Sequence, residues 1–402
     1  MVDHRARHPA VVIASRLFVP EVSAGAFRLG ALARALAAAG CRVRVVTTVP
    51  PVHAPEQPDP VGVDVSRWPV LRDKGGNVRG YVPYASFDAP LVGRVIFRRW
   101  DIAVAESPPT TALVVLAVAR LRRRPVVYYA ADVWTDGVIA VGAPQPVVAL
   151  MRRMERSALR GARLILSVSA EVTERLELLG ADPQRIATVG NGIDTDVFTP
   201  DASPAGAGER YFVYTGTMSE WQQPEVFVRA FAQIAAEHPE VRLRFFGQGA
   251  LEAELRRLAE ELAPGRVEFG GVVGPHESAR WIRGAIASLV SVAPGIGYDF
   301  ARPTKTYAAA ACGTPVLFAG APTGRALVED AGLGMAVDFT PEAVAAAMRS
   351  LVAQQSDGHT DRDRAARATW ARENVSLAAV GRRAAEAILT AAPASGRRRR
   401  LR

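Results

Sequence analysis

The sequence is poor in the residues that build disulfides and metal sites. It holds two cysteines, Cys41 and Cys312, too few for a disulfide framework or a four-thiolate zinc site, and so few thiols fit a reducing cytosol. Its six histidines (His4, His8, His53, His238, His276 and His359) are scattered without ligand spacing, so no protein-held metal is expected. Long apolar runs are missing too. The longest, Ala112–Ala119, has eight residues, against roughly 20 for a membrane helix. Near the N-terminus arginines precede a brief apolar run, but Ser15 and Arg16 interrupt it too early for a signal peptide. No G-x-G-x-x-G follows the first apolar run, and Gly247-Gln248-Gly249 reads as a plain tight turn. There is no Walker A sequence and no G-x-S-x-G elbow. The expected location is the cytoplasm.

What is present is a folded-protein composition. Hydrophobic residues make up 49 % and charged residues 22 % of 402 positions, which excludes disorder as the main state and predicts two or three domains. The net charge is +9, but Arg397–Arg400 and Arg402 supply five of the positive charges, leaving a body of about +4. The segment 393–402 reads either as a disordered, solvated tail or as a polybasic tether for an anionic membrane surface. Nucleic acid is not an expected partner, because no aromatic residues are interleaved with the arginines.

Short apolar runs alternate with helical patterns. Strands are predicted at Ala10–Ser15, Arg42–Thr47, Ile102–Glu106, Val126–Ala130 and Leu164–Ser167. Helices carry Leu29–Leu36 up to Gly40, then Thr110–Arg122, Val147–Arg160 and Ala170–Leu179. Asp201–Glu209 reads as a Pro/Gly-rich linker, after which the rhythm restarts with strands at Tyr211–Thr215, Arg242–Phe246, Val267–Phe269, Ala287–Ser291 and Pro315–Phe318. The predicted class is α/β, with two tandem doubly wound Rossmann-like domains. The expected division is an N-terminal domain over 1–200 and a C-terminal domain over 201–375. A C-terminal helix over 376–392 is expected to return to the first domain. Ligands are expected at the carboxyl ends of the strands, in the cleft between the domains.

The motifs occur in a telling order. Phe18-Val19-Pro20-Glu21 leads to Gly25 and Arg28, followed by Glu106-Ser107-Pro108-Pro109, Asp132-Val133-Trp134 and Val189-Gly190-Asn191-Gly192-Ile193-Asp194. The second half has Tyr214-Thr215-Gly216-Thr217, Phe246-Gly247-Gln248-Gly249, Pro303-Thr304-Lys305 and Gly313-Thr314-Pro315-Val316. From about Val11 to Leu389 the chain resembles the retaining glycosyltransferases of family 4 with the GT-B fold, in the bacterial cell-surface polysaccharide branch. That resemblance implies metal-independent transfer of a hexose-like sugar from a nucleotide-sugar donor to a hydroxyl acceptor, a lipid-linked or cell-envelope saccharide. The nucleotide-sugar is a substrate, and no cofactor is implied. The enzyme would work at the inner membrane face as a cytoplasmic or peripheral protein.

The residues themselves agree with this chemistry. A departing diphosphate needs positive charge, which helix N-termini and cationic side chains provide. Arg302, Thr304 and Lys305 sit just before or at the start of an apolar helix. Thr304 reads as a phosphate contact or a simple N-cap. Lys305 reads as a solvated first-turn lysine or, since a cation at a helix N-terminus opposes the dipole, as the partner of an anion, and that misfit favours the anion. Gly25 lets a ligand approach the backbone or merely makes a turn, and Arg28 holds an acidic acceptor group or is solvated. Asp132 stands where the family often has the acidic member of a histidine-acidic pair, with Ala131 in the histidine position. It reads as that catalytic group or as a cap, with Asp136 a second carboxylate nearby.

Two departures from the family pattern stand out. Phe300 and Ala308 occupy the positions of its glutamate pair, with Asp299 a substitute for the first. Thr217 and Gln222, beside Gly216, replace its Arg/Lys pair; Gln222 reads as a donor contact or as a surface glutamine. Two other functions stay open: a nucleotide-sugar epimerase of the same fold, which the shortage of histidines disfavours, and a non-catalytic sugar-nucleotide-binding subunit.

Overall fold

The computed structural model describes residues 9–392 except 53, 74, 75, 77, 79, 141, 207 and 357–361. The basic tail at 393–402 and His4, His8, His53 and His359 lie outside the described residues. The chain divides into two compact units. One comprises Met1–Asn191 with Leu377–Arg402, and the other Gly192–Ser376.

The first unit is built on β1 (Ala10–Ala14), β2 (Arg42–Thr48), β3 (Val63–Trp68), β4 (Ile102–Glu106), β5 (Val126–Ala130), β6 (Leu164–Ser167) and β7 (Ile186–Thr188). They form a seven-stranded sheet in the order β3-β2-β1-β4-β5-β6-β7, parallel throughout. The central strands β1, β4 and β5 are buried along their whole length. This is why they read as continuous apolar runs rather than alternating ones. Strand order reverses at β1/β4, which makes the carboxyl ends of these two strands the natural place for a ligand.

The second unit carries β8 (Arg210–Thr215), β9 (Val241–Phe246), β10 (Val267–Phe269), β11 (Ala287–Val292), β12 (Val316–Gly320) and β13 (Gly334–Val337). Its six-stranded sheet has the order β10-β9-β8-β11-β12-β13, also parallel. The reversal falls at β8/β11. Phe212, Tyr214, Phe227, Phe231 and Phe245 are fully buried and form much of one core layer.

The structure differs from the sequence expectations in several places. Edge strand β3 and the helix Tyr81–Ile96 were not anticipated. The strand is half-exposed and polar, and the helix contains Pro90, which weakens its sequence signal. Asp201–Glu209 is less a linker than a strap on the second unit. Ala205 N–H donates to Arg280 O (2.9 Å), while the Arg283 guanidinium binds the carbonyls of Thr199 (2.7 Å) and Ser203 (2.9 Å). The boundary therefore falls earlier, at Asn191/Gly192.

The helix Leu377–Ala391 packs on the helix Ala24–Ala38, both in the first unit. A Cβ on Gly381 would lie 2.7 Å from the Ala31 carbonyl oxygen, so only glycine permits this closeness. Among the described residues, no helix is long and apolar enough to cross a membrane.

Candidate functional site

In the second unit the predicted donor residues converge where β8 ends and the helix Thr304–Ala311 begins. Lys305 is 7 % exposed. Its Nζ donates to Gln222 Oε1 at 3.3 Å and sits 3.6 Å from the centroid of the Tyr214 ring. Tyr214 OH lies 2.7 Å from the same Gln222 oxygen and 2.7 Å from the Thr217 carbonyl, and its single proton is donated to one of the two at a time. No carboxylate pairs with Lys305 among the described residues. Burial alone pushes its ammonium well below the usual lysine range. Gly216 (φ +115°) passes close to this group, since a Cβ there would stand 3.5 Å from Lys305 Cε and 3.7 Å from Nζ.

The solvated reading of Lys305 is thus overturned, and so is the surface reading of Gln222, which is buried. Thr304 is no N-cap. Pro303 holds that position, no side chain caps the helix, and Thr304 is its first residue. Arg302 is exposed just before it. Asp299 accepts from Gly295 N–H at 2.9 Å, closing its own loop. Phe300 extends a stack with Tyr298 (6.1 Å between centroids) and Trp221 (5.3 Å from Tyr298). Ala308 belongs to the apolar core. Gly247, in the turn after β9, has φ +128°, and a Cβ on it would fall 2.0 Å from the Gly216 carbonyl oxygen, so this turn supports Gly216.

In the first unit the carboxyl ends of β1, β4 and β5 and the helix Ala24–Ala38 bring together Ser15, Glu106, Asp132 and Arg28. Arg28 is buried, and its Nη2 donates to Glu106 Oε1 at 2.9 Å. Ser15 Oγ donates to the other carboxylate oxygen at 2.6 Å, and the Arg28 guanidinium lies over the Tyr129 ring at 5.1 Å. Arg28 is therefore not the solvated arginine that was one of its two readings, but half of a buried ion pair. Burial raises the Glu106 carboxyl, and Arg28 and Ser15 pull it back. Gly25 serves the pair rather than a turn, because a Cβ there would meet Glu106 Oε1 at 3.0 Å.

Asp132 is solvent-reached beyond β5. Desolvation by surrounding protein raises its carboxyl and Arg28 opposes the rise. It does not cap the helix Trp134–Ala140. The Trp134 and Thr135 N–H groups both donate to Glu155, at 2.9 Å each. Asp136 instead pairs with Arg175 (2.8 Å). Sequence reasoning missed Glu155, Glu106 and Arg16. Arg16 is buried, with its guanidinium carbon 3.8 Å from the Tyr84 ring centroid. An acidic residue ending a buried strand was the available signal for Glu106. Among the described residues, no group of three or more His, Cys, Asp or Glu side chains could hold a metal.

Two open parallel sheets, each with a polar cluster at its carboxyl end, give this chain the GT-B fold. Residues 27–197 match the Glycosyltransferase Family 4 description and residues 209–354 match Glycosyl transferases group 1. A D-inositol 3-phosphate glycosyltransferase of Frankia alni is 27 % identical over 290 residues, covering 67 % of this chain and 65 % of that protein. The alignments with the first three curated relatives span 65, 40 and 54 % of their lengths. Among solved structures, sucrose-phosphate synthase of Thermosynechococcus elongatus has a TM-score of 0.74 at 18 % identity, covering 95 % of this chain and 99 % of its own. HepE of Anabaena, in complex with UDP and glucose, has a TM-score of 0.68 at 17 % identity, covering 95 % and 100 %.

Proposed function

We propose that the protein transfers a sugar from a nucleoside-diphosphate sugar to a hydroxyl acceptor, with Lys305 holding the diphosphate. The observation that carries this reading is a buried ammonium without a carboxylate, at the start of a helix and beside a side-chain-free Gly216. Such a group is costly unless an anion completes it. A diphosphate favours the charged form of the lysine, and the helix N-terminus adds further attraction. Gln222 and Tyr214 fix the ammonium from below, so its position is set before the ligand arrives. Thr304 and Arg302 flank the same helix start, and Phe300 offers an apolar face where a glutamate is usual.

On this reading transfer proceeds with retention and without a metal. The C1–O bond to the diphosphate breaks, the acceptor oxygen bonds C1 on the same face, and its proton passes to the departing phosphate oxygen. Asp132, with its raised carboxyl, lies in the first unit as the group that orients an acceptor hydroxyl. The resemblance points to a lipid-linked or cell-envelope acceptor, and the relatives' name adds an inositol phosphate as a second candidate to assay. UDP is the first nucleotide to try, because HepE holds it. Thermal-shift titration of wild type and Lys305→Met with UDP, GDP, ADP and dTDP tests the site. At least one diphosphate should stabilise wild type and not the variant. Equal stabilisation of both by every diphosphate refutes the assignment. Product formation with membrane extract then separates a transferase from a non-catalytic binder.

A further inference from the structure

At the opposite end of the first unit's sheet, where chain segments enter β4 and β5, two helices end side by side. They are Tyr81–Ile96 and Pro109–Arg122. The Arg122 guanidinium stitches them together, donating to the carbonyls of Ile96 (2.7 Å) and Arg98, and it lies over the Trp100 ring at 5.3 Å. Trp100 Nε1 in turn donates to Val95 O (3.0 Å). Two large apolar side chains leave this platform for solvent: Phe97 is 86 % exposed and Leu121 73 % exposed. Arg98, Arg99, Arg120, Arg123 and Arg124 surround them, all exposed. The acid facing this rim is Asp101, which is shared between Arg124 (3.2 Å) and the Ala10 N–H (2.9 Å). Arg42 and Arg163, at the starts of β2 and β6, extend the basic edge.

We propose that this surface docks the protein on an anionic lipid bilayer, with Phe97 and Leu121 entering the interface and the arginines engaging lipid phosphates. A second copy of the chain is disfavoured as occupant, because self-pairing would oppose two arginine rims. Exposed apolar anchors inside a basic ring match an amphipathic lipid boundary, and neither signal alone gives stable attachment. The surface lies away from the carboxyl ends of the strands, so docking and ligand binding use different ends of the sheet. The bilayer contact therefore acts as a tether and leaves the chemistry untouched.

Sedimentation of the full chain with phosphatidylglycerol/phosphatidylcholine vesicles tests this, beside phosphatidylcholine alone. Wild type should bind only the anionic vesicles, more weakly as salt rises. Arg98→Ser/Arg99→Ser should lower partitioning about 25-fold, at about 5-fold per arginine. Phe97→Ser/Leu121→Ser should weaken binding that persists at high salt. Both variants should keep the wild-type melting temperature and nucleotide affinity, since the side chains changed are exposed. Undiminished vesicle binding by both variants overturns the proposal, as does binding abolished by removing Gly396–Arg402 alone. Absence of vesicle binding alongside binding to duplex DNA would overturn it in favour of nucleic acid.

Discussion

Replacing Lys305 by methionine separates its cost to the fold from its use to the ligand. Taking one ion out of water costs several kcal/mol. Against this stand a charge-assisted hydrogen bond to Gln222, worth about 1.5–3 kcal/mol, and the Tyr214 ring face, worth about 2 kcal/mol when desolvated. These contacts offset only part of the desolvation cost, as the lowered pKa requires. Methionine refills the same volume without the charge, so melting should stay level or rise by about 2–4 °C for each kcal/mol of penalty relieved. Because burial lowers the native lysine's pKa, the unfolded chain binds more protons between the native and unfolded values. Wild-type stability therefore climbs with pH across that window. The advantage of Lys305→Met should be largest below the depressed value and vanish above the unfolded one.

Ligand binding carries the opposite sign. A diphosphate raises the ammonium's pKa, so binding should take up close to one proton within the window. Wild-type affinity should then fall as pH rises, a dependence missing in the variant. Calorimetry in two buffers of different ionisation enthalpy reads this uptake, with the variant correcting for the nucleotide's own protons. Turnover, where charge on the leaving group is greatest, should drop about 10²–10³-fold. A folded Lys305→Met protein with wild-type nucleotide affinity, proton uptake and turnover would refute the reasoning.

Glu106→Leu leaves Arg28 buried without its carboxylate and should cost about 3–5 kcal/mol by denaturant titration; Glu106→Gln should cost distinctly less. Gly247→Ala places a Cβ 2.0 Å from the Gly216 carbonyl at a φ of +128°. It should destabilise by more than about 4 kcal/mol and abolish nucleotide-dependent stabilisation, read in one thermal-shift series. Sugar transfer should survive EDTA, because Lys305 supplies the charge a metal otherwise would; loss restored by Mn²⁺ or Mg²⁺ would count against that account. Asp132→Asn should lower turnover at least tenfold while leaving nucleotide affinity in the second unit unchanged, with equal kcat speaking against a role at the acceptor.

The sheets were largely legible because buried parallel strands write themselves as uninterrupted apolar runs, as in Val126–Ala130. Segments that do not bury both faces were not. Val63–Trp68 is an edge strand with alternating polar residues, and Tyr81–Ile96 is a helix despite its proline. The site was legible by residue type but not by partnership. Lys305 was conspicuous as a cation at the wrong helix end, whereas its contact with Gln222 joins positions far apart in sequence. Arg28 and Glu106 carried no mutual signal either, since only the β1/β4 adjacency brings them together. Gly25 was noticed as an absence of side chain, and its reason, room for a carboxylate, required the packed pair.

The return of the C-terminal helix sets an order on biosynthesis. Leu377–Ala391 covers the helix Ala24–Ala38, so a piece made after the second unit completes the unit begun first. While the ribosome is still producing Gly192–Ser376, Ala24–Ala38 lacks this cover. The second unit has no such wait. Its ends are fastened to each other by the bridge between Ile193 and Ser376, with Ile193 N–H donating to Val375 O at 2.9 Å. A nascent chain halted just past Ser376 would thus carry a finished second unit behind an unfinished first one, a reversal of the usual N-terminal-first sequence. Chaperone demand on the first unit should then fall once Leu377–Ala391 is free to cover Ala24–Ala38.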